Sequence, residues 1–261
     1  MAGTAPRTDI WIVVEQSQGW GTAPLARSEH GVRVVMAQPL RARRQPPRAW
    51  IAWSASPTPV LRRARLADPH EVADWDLAEV VGGAFDDWGE PVAEPLLLVC
   101  TNGRRDRCCG HIGGRVARRL ADTDDADFIL RSTHLGGHRF APTALLLPWG
   151  ALHGRLSADD ALQLLAAARV GRGIATTLRG YSTLPPPAQV AEAHARLITR
   201  YLGLPACDVR LTLDASGERA NAEVLVPGVG HLPVTLRREI ADVLASCGKH
   251  LEPTPRWVVD S

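Results

Sequence analysis

Two pairs of metal-binding side chains, each following a short apolar run, constrain this chain more than any other feature. Leu96–Val99 (LLLV) reads as a buried strand ending at Cys100, and Cys109 follows after eight intervening residues of one polar loop. Phe128–Ser132 (FILRS) reads as a second strand, with His134 and His138 in the loop behind it, separated by Leu135-Gly136-Gly137. Thiolate and neutral imidazole are the protein ligands that suit zinc and iron–sulfur centres. Two imidazoles converging from so tight a loop need backbone that can take positive φ and leave space beside the ligand. The glycine pair supplies it, and Gly110 does the same for the first loop. A lone cysteine is usually a small core hydrophobe, and a lone histidine a surface or satisfied core residue. Four such residues in two pairs, each directly after a strand, point instead to one metal site shared by Cys100, Cys109, His134 and His138.

The other candidates carry less. Cys108 can replace Cys109 as ligand, or the vicinal pair can do thiol chemistry, but a neighbour that does not ligate is the favoured reading. His111 has no partner at ligand spacing, and His153 sits in an expected strand as a packed or hydrogen-bonded residue. Cys207 and Cys247 read as core. Asp122, Asp124, Asp125 and Asp127 lack the glycine and spacing of a calcium loop, so they read as a solvated turn. No phosphate-binding glycine loop, nucleophile elbow or zinc-protease helix motif is present.

Composition narrows the class. A 261-residue chain that is 45% apolar can bury a substantial core. Its net charge of +2 gives no global electrostatic case for nucleic acid or a membrane as partner. Lys249 is the only lysine, so arginine runs such as Arg41–Arg44 and Arg62–Arg65 reflect a general arginine bias and read as solvated faces. Met1–Asp9 lacks the basic start and apolar core of an export signal, and no stretch approaches a membrane span. A cytoplasmic setting is therefore expected, where clustered cysteines bind metal or do redox work rather than build a disulfide scaffold.

The element pattern divides the chain into three segments. Residues 1–93 form a β-rich N-terminal segment, with strands expected at Ile10–Glu15, Val32–Gln38, Ala49–Ser54 and Val60–Leu66. Gly19–Gly21 and Gln45–Pro47 punctuate it, and Trp75 and Trp88 anchor its acidic, less regular end. Residues 94–172 hold the two ligand pairs, with a helix expected over Ile112–Ala121 between the two strands. Ala144–Leu147 and Ala151–Leu156 then flank a Pro148-Trp149-Gly150 hairpin, and Ser157 caps a helix reaching about Arg169. This β-α-β-loop-β-β-α order is the sequence of elements in a thioredoxin-like fold. Residues 173–261 comprise a helix over about Ala188–Tyr201 and a small β unit with strands near Val209–Asp214, Ala222–Val226 and Leu232–Leu236.

Cys100–Gly110 (CTNGRRDRCCG), His134–Ala141 (HLGGHRFA) and Gly154–Leu156 (GRL) resemble the signature blocks of the sucrase/ferredoxin-like family. Trp11–Gly21 (WIVVEQSQGWG) is similar to that family's N-terminal block, and Arg179-Gly180 with Gln189–Ala193 to its later helix. The resemblance implies an α/β protein with a thioredoxin-like ferredoxin core and β-rich flanking segments. It also implies one [2Fe–2S] cluster, with Cys100 and Cys109 on one iron and His134 and His138 on the other. The eight-residue spacing of relatives selects Cys109 over Cys108. Asn102 departs from the histidine of many relatives at a position that is not a ligand. The implied role is one-electron transfer, coupled to protons through the imidazoles, between redox donor and acceptor proteins; Arg104, Arg105 and Arg107 lie in the same loop. The same four ligands would also serve a structural zinc ion, and Cys108 with Cys109 a thiol oxidoreductase, although the Cys-x-x-Cys form is missing. The sequence offers no convincing carboxylate pair for the glycoside hydrolysis in the family's label.

Overall fold

A computed structural model describes residues 1–16, 27–42, 46–244 and 250–260. Gly19–Gly21, the stretch 43–45, Cys247 and Lys249 lie outside the described residues. The apolar runs read from sequence pair into one mixed sheet. Its strands are β1 (Ile10–Glu15), β2 (Ser28–Glu29), β3 (Val32–Pro39), β4 (Arg48–Trp53), β5 (Val60–Arg65), β6 (Glu90–Pro91), β7 (Leu96–Cys100), β8 (Ile129–Ser132), β9 (Thr143–Leu147), β10 (Ala151–Gly154) and β11 (Leu178–Tyr181). Their spatial order is β11-β10-β9-β7-β8-β3-β1-β4-β5-β6, with β2 also on β3. The N-terminal strands and the ligand-bearing strands thus share one sheet through the β3–β8 pairing.

Burial explains the unbroken apolar runs. Every residue of β7 and β9 is buried, because both faces of the sheet are covered there. On one face lie α2 (Gly114–Ala121) and α3 (Ala158–Arg169), packing Leu120, Leu164 and Leu165 against Leu97, Val99 and Leu146. The other face packs Leu98, Leu130 and Leu145 against Trp11, Val13 and Val35. Each fully buried leucine contributes roughly 1.5–3 kcal/mol. Ser157 caps α3 as expected, accepting from the Asp160 N–H at 3.0 Å while Asp160 reaches back to the Ser157 N–H. Trp75 packs its ring against Phe85 and edge-on to Trp88 beside α1 (Leu77–Val81), covering the outer face of β1, β3 and β4.

The C-terminal unit is a four-stranded antiparallel sheet of β12 (Asp208–Leu213), β13 (Arg219–Val226), β14 (Gly230–Leu244) and β15 (Leu251–Val259). β13 alternates exposed and buried residues, so one face is solvated and the other lies under α4 (Pro186–Thr199). β14 is much longer than the apolar run Leu232–Leu236 suggests. Beyond Arg237 it pairs only with β15, where no residue is fully buried and Ile240 is 74% exposed. β11 and β15 were not foreseen, since Leu178–Tyr181 is short and Leu251–Val259 carries two prolines.

Candidate metal centre

β7 and β8 are adjacent and parallel, with Cys100 opposite Ser132. Both ligand-bearing loops therefore leave the sheet at the same end and side by side. The Thr101 N–H donates to the Ser132 carbonyl at 3.1 Å, tying the loops together as they start. Sγ of Cys100, Sγ of Cys109 and a ring nitrogen of His134 all lie within 4.8 Å of one another. His138 is not within that group, and its ring centroid is 5.3 Å from that of His134.

Local structure brings Cys109 inward. Residues Cys109–Gly113 form a single π-helical turn that runs into α2, and this turn buries Cys109 while leaving His111 exposed. Gly110 is needed for close approach rather than for positive φ, because a Cβ there would lie 2.5 Å from Gly103 Cα. The second loop does use left-handed backbone, at Gly136 (φ 85°) and Gly137 (φ 69°).

The two thiols are free and buried, and their pKa values are driven in opposite directions. Cys100 is held well below the usual thiol range by the Cys109 hydrogen bond, against the penalty of burial. His134 and the N–H groups of Asn102 and Leu135 assist. Cys109 is pushed up correspondingly by Cys100 and by burial. Nδ1 of His134 is buried without a hydrogen-bond partner. Two buried thiols with an imidazole nitrogen converging on them are a donor set that fits a thiophilic metal or an iron–sulfur cluster.

Two residues beside the centre were not assigned from sequence. Asp106 is 4% exposed, accepts from the Cys108 N–H at 2.8 Å, and places its other carboxylate oxygen 3.8 Å from His138 Nε2. It connects the two ligand loops as a carboxylate behind a candidate histidine ligand. The available signal was a lone acid among Arg104, Arg105 and Arg107. Arg179, at the start of the Arg-Gly block, is fully buried and donates to the Gly136 carbonyl at 3.0 Å.

Cys108 is disulfide-bonded whereas Cys109 is free, so the vicinal pair is not an open dithiol. Cys207 is buried, in keeping with a core role. His153 is buried and shares a 2.9 Å hydrogen bond with the Thr177 hydroxyl; burial, aided by Arg179 and Arg196, pushes its pKa down to about 3. Asp125 is engaged by Arg169 at 2.7 Å, which makes the acidic turn a surface clamp. Among the described residues no helix is long and apolar enough to cross a membrane.

No curated protein and no solved structure matches this chain. A model of the family described as sucrase/ferredoxin-like matches residues 1–180, which contain all four candidate ligands and end within β11. The chain belongs to the sucrase/ferredoxin-like family.

Proposed function

We propose that this protein is an electron carrier holding one [2Fe–2S] cluster through Cys100, Cys109, His134 and His138, with redox donor and acceptor proteins as its partners. The observation that carries the reading is the convergence of two buried free thiols with a ring nitrogen of His134, all within 4.8 Å of one another. The order β8-β7-β9-β10, with β7 and β8 parallel and α2 crossing between them, supports a thioredoxin-like core. A [2Fe–2S] cluster supplies one-electron transfer at a potential set by ligand charge, hydrogen bonds and burial. Cys100 and Cys109 would hold one iron as thiolates, and the N–H groups of Asn102 and Leu135 would stabilise charge on Cys100. His134 and His138 would hold the other iron, with Asp106 orienting the His138 ring through Nε2.

Histidine ligation has a measurable consequence. Two ferric ions, two sulfides, two thiolates and two neutral imidazoles sum to zero charge, against minus two for an all-cysteine set. The neutral centre accepts an electron more easily, so its potential should lie toward the Rieske range. Each imidazole keeps a second nitrogen that ferric iron acidifies more than ferrous iron does. Reduction should therefore take up a proton at alkaline pH, and the midpoint should fall there by up to ~59 mV per pH unit for each proton coupled. A redox titration from neutral to alkaline pH, repeated on His134→Cys and His138→Cys, tests this. A potential that is flat with pH and no higher than that of the cysteine variants would argue against the histidines as ligands.

A further inference from the structure

Arg179 is as deeply buried as any large side chain in the protein, at 0% exposure. Its Nε donates to the Thr4 hydroxyl at 3.0 Å, one terminal nitrogen donates to the Gly136 carbonyl at 3.0 Å, and the other donates to the Thr4 carbonyl. Every one of these acceptors is neutral. Among the described residues no carboxylate pairs with Arg179. Burying a cation among neutral groups costs several kcal/mol unless an anion nearby compensates. Charge on the Cys100–Cys109 pair favours the guanidinium cation, whereas Arg139 disfavours it.

The ligand loop is shaped around this side chain. A Cβ at Gly137, between the two candidate histidine ligands, would meet the Arg179 guanidinium at 2.2 Å. The Phe140 ring, just past His138, packs 5.5 Å from the Arg179 guanidinium carbon. Arginine suits the position because its planar fork satisfies two carbonyls and a hydroxyl at once while remaining charged. Burial, then Arg139, push its pKa down to about 10, so it is still a cation at neutral pH.

We infer that Arg179 is the built-in counter-charge of the metal centre, a buried cation placed against the His134–His138 loop to stabilise negative charge on the thiolates and on the reduced cluster. The inference rests on the cluster reading above. Its consequence is electrostatic: with the cation present, the added electron is held more tightly.

The test compares wild type with Arg179→Lys, which keeps the charge, and Arg179→Met, which removes it. Each protein is purified without oxygen, assayed for iron and acid-labile sulfide, and titrated for midpoint potential at one pH and ionic strength. Arg179→Lys should stay within about threefold of wild type in the one-electron reduction constant. Arg179→Met should lose about tenfold or more, which is roughly 59 mV. Equal potentials in wild type and Arg179→Met, or equal shifts in both variants, would overturn the inference and leave a packing role. If Arg179→Met does not fold, Phe140→Glu against Phe140→Gln decides, because the new carboxylate would neutralise the guanidinium in place. The glutamate variant should then have the lower potential, and equal potentials would overturn the inference. A wild type carrying zinc and no sulfide would sink the cluster reading and the inference together. A wild type carrying iron and sulfide, with an insensitive Arg179→Met, would sink the inference alone.

Discussion

Arg196 and Arg179 are both buried, yet the regions around them differ in where the compensating charge comes from. Arg196, on α4, meets the Glu192 carboxylate at 2.5 Å, donates to the Gly203 and Pro205 carbonyls, and lies over the rings of Tyr181 and Tyr201. Glu192 also accepts from the Cys207 N–H at 3.2 Å. That region, where α4 packs on the C-terminal sheet, contains its own counter-ion. Around Arg179 the acceptors are neutral, and the guanidinium lies against Gly136 and Gly137, between His134 and His138. Buried charge is tolerated where it is paired, so the first region reads as structural and the second as a site that a bound group completes.

The sharpest way to break this contrast is to remove one ligand. Cys109→Ser should abolish cluster absorption altogether and raise amide exchange across the His134–His138 loop, with exchange in β12–β15 unchanged. Equal changes in both regions would mean that they are not energetically distinct. Next in size is Arg196→Met, which strands the Glu192 carboxylate and should cost about 3–5 kcal/mol in urea unfolding, with little change in the cluster spectrum. The double variant Glu192→Leu, Arg196→Met should recover most of that loss, because the interaction is pairwise and internal. No recovery would show that Arg196 acts through Tyr181 and Tyr201 instead.

His153 feels both arginines and gives the smallest effect. Its folded pKa of about 3 lies below the ordinary 6.5, so the unfolded chain takes up a proton that the folded protein refuses. The stability from neutral His153 is complete above pH 6.5 and is lost as pH falls from there toward 3. By pH 5 the loss should reach about 2 kcal/mol, at ~1.4 kcal/mol per pH unit. Chemical denaturation at pH 7 and pH 5 on wild type and His153→Gln measures it. An equal pH slope in both would remove the buried histidine from the account.

Most of the strand framework was legible in the sequence, because strands covered on both faces write themselves as apolar runs such as Leu96–Cys100 and Thr143–Leu147. The capped helix after Ser157 was legible for a different reason, its acidic first turn. The outer half of β14 was not, since a two-stranded ribbon with little to cover it buries no residue fully and leaves Ile240 and Leu244 on its exposed side. At the site, Cys100, Cys109, His134 and the adjacent His138 announce themselves by residue type and by following strands. Arg179 and Asp106 do not, because what they do depends on burial. A sequence this rich in arginine conceals which guanidinium is inside. The π-turn at Cys109–Gly113 was likewise hidden, Gly110 reading as a place for positive φ and open space where the fold uses it for close approach to Gly103.

The central claim is that the two ligand loops hold a cluster. Protein expressed with ample iron and purified without oxygen should be coloured and contain about two irons and two acid-labile sulfides per chain. Stoichiometric zinc with no sulfide, in colourless protein, would contradict it.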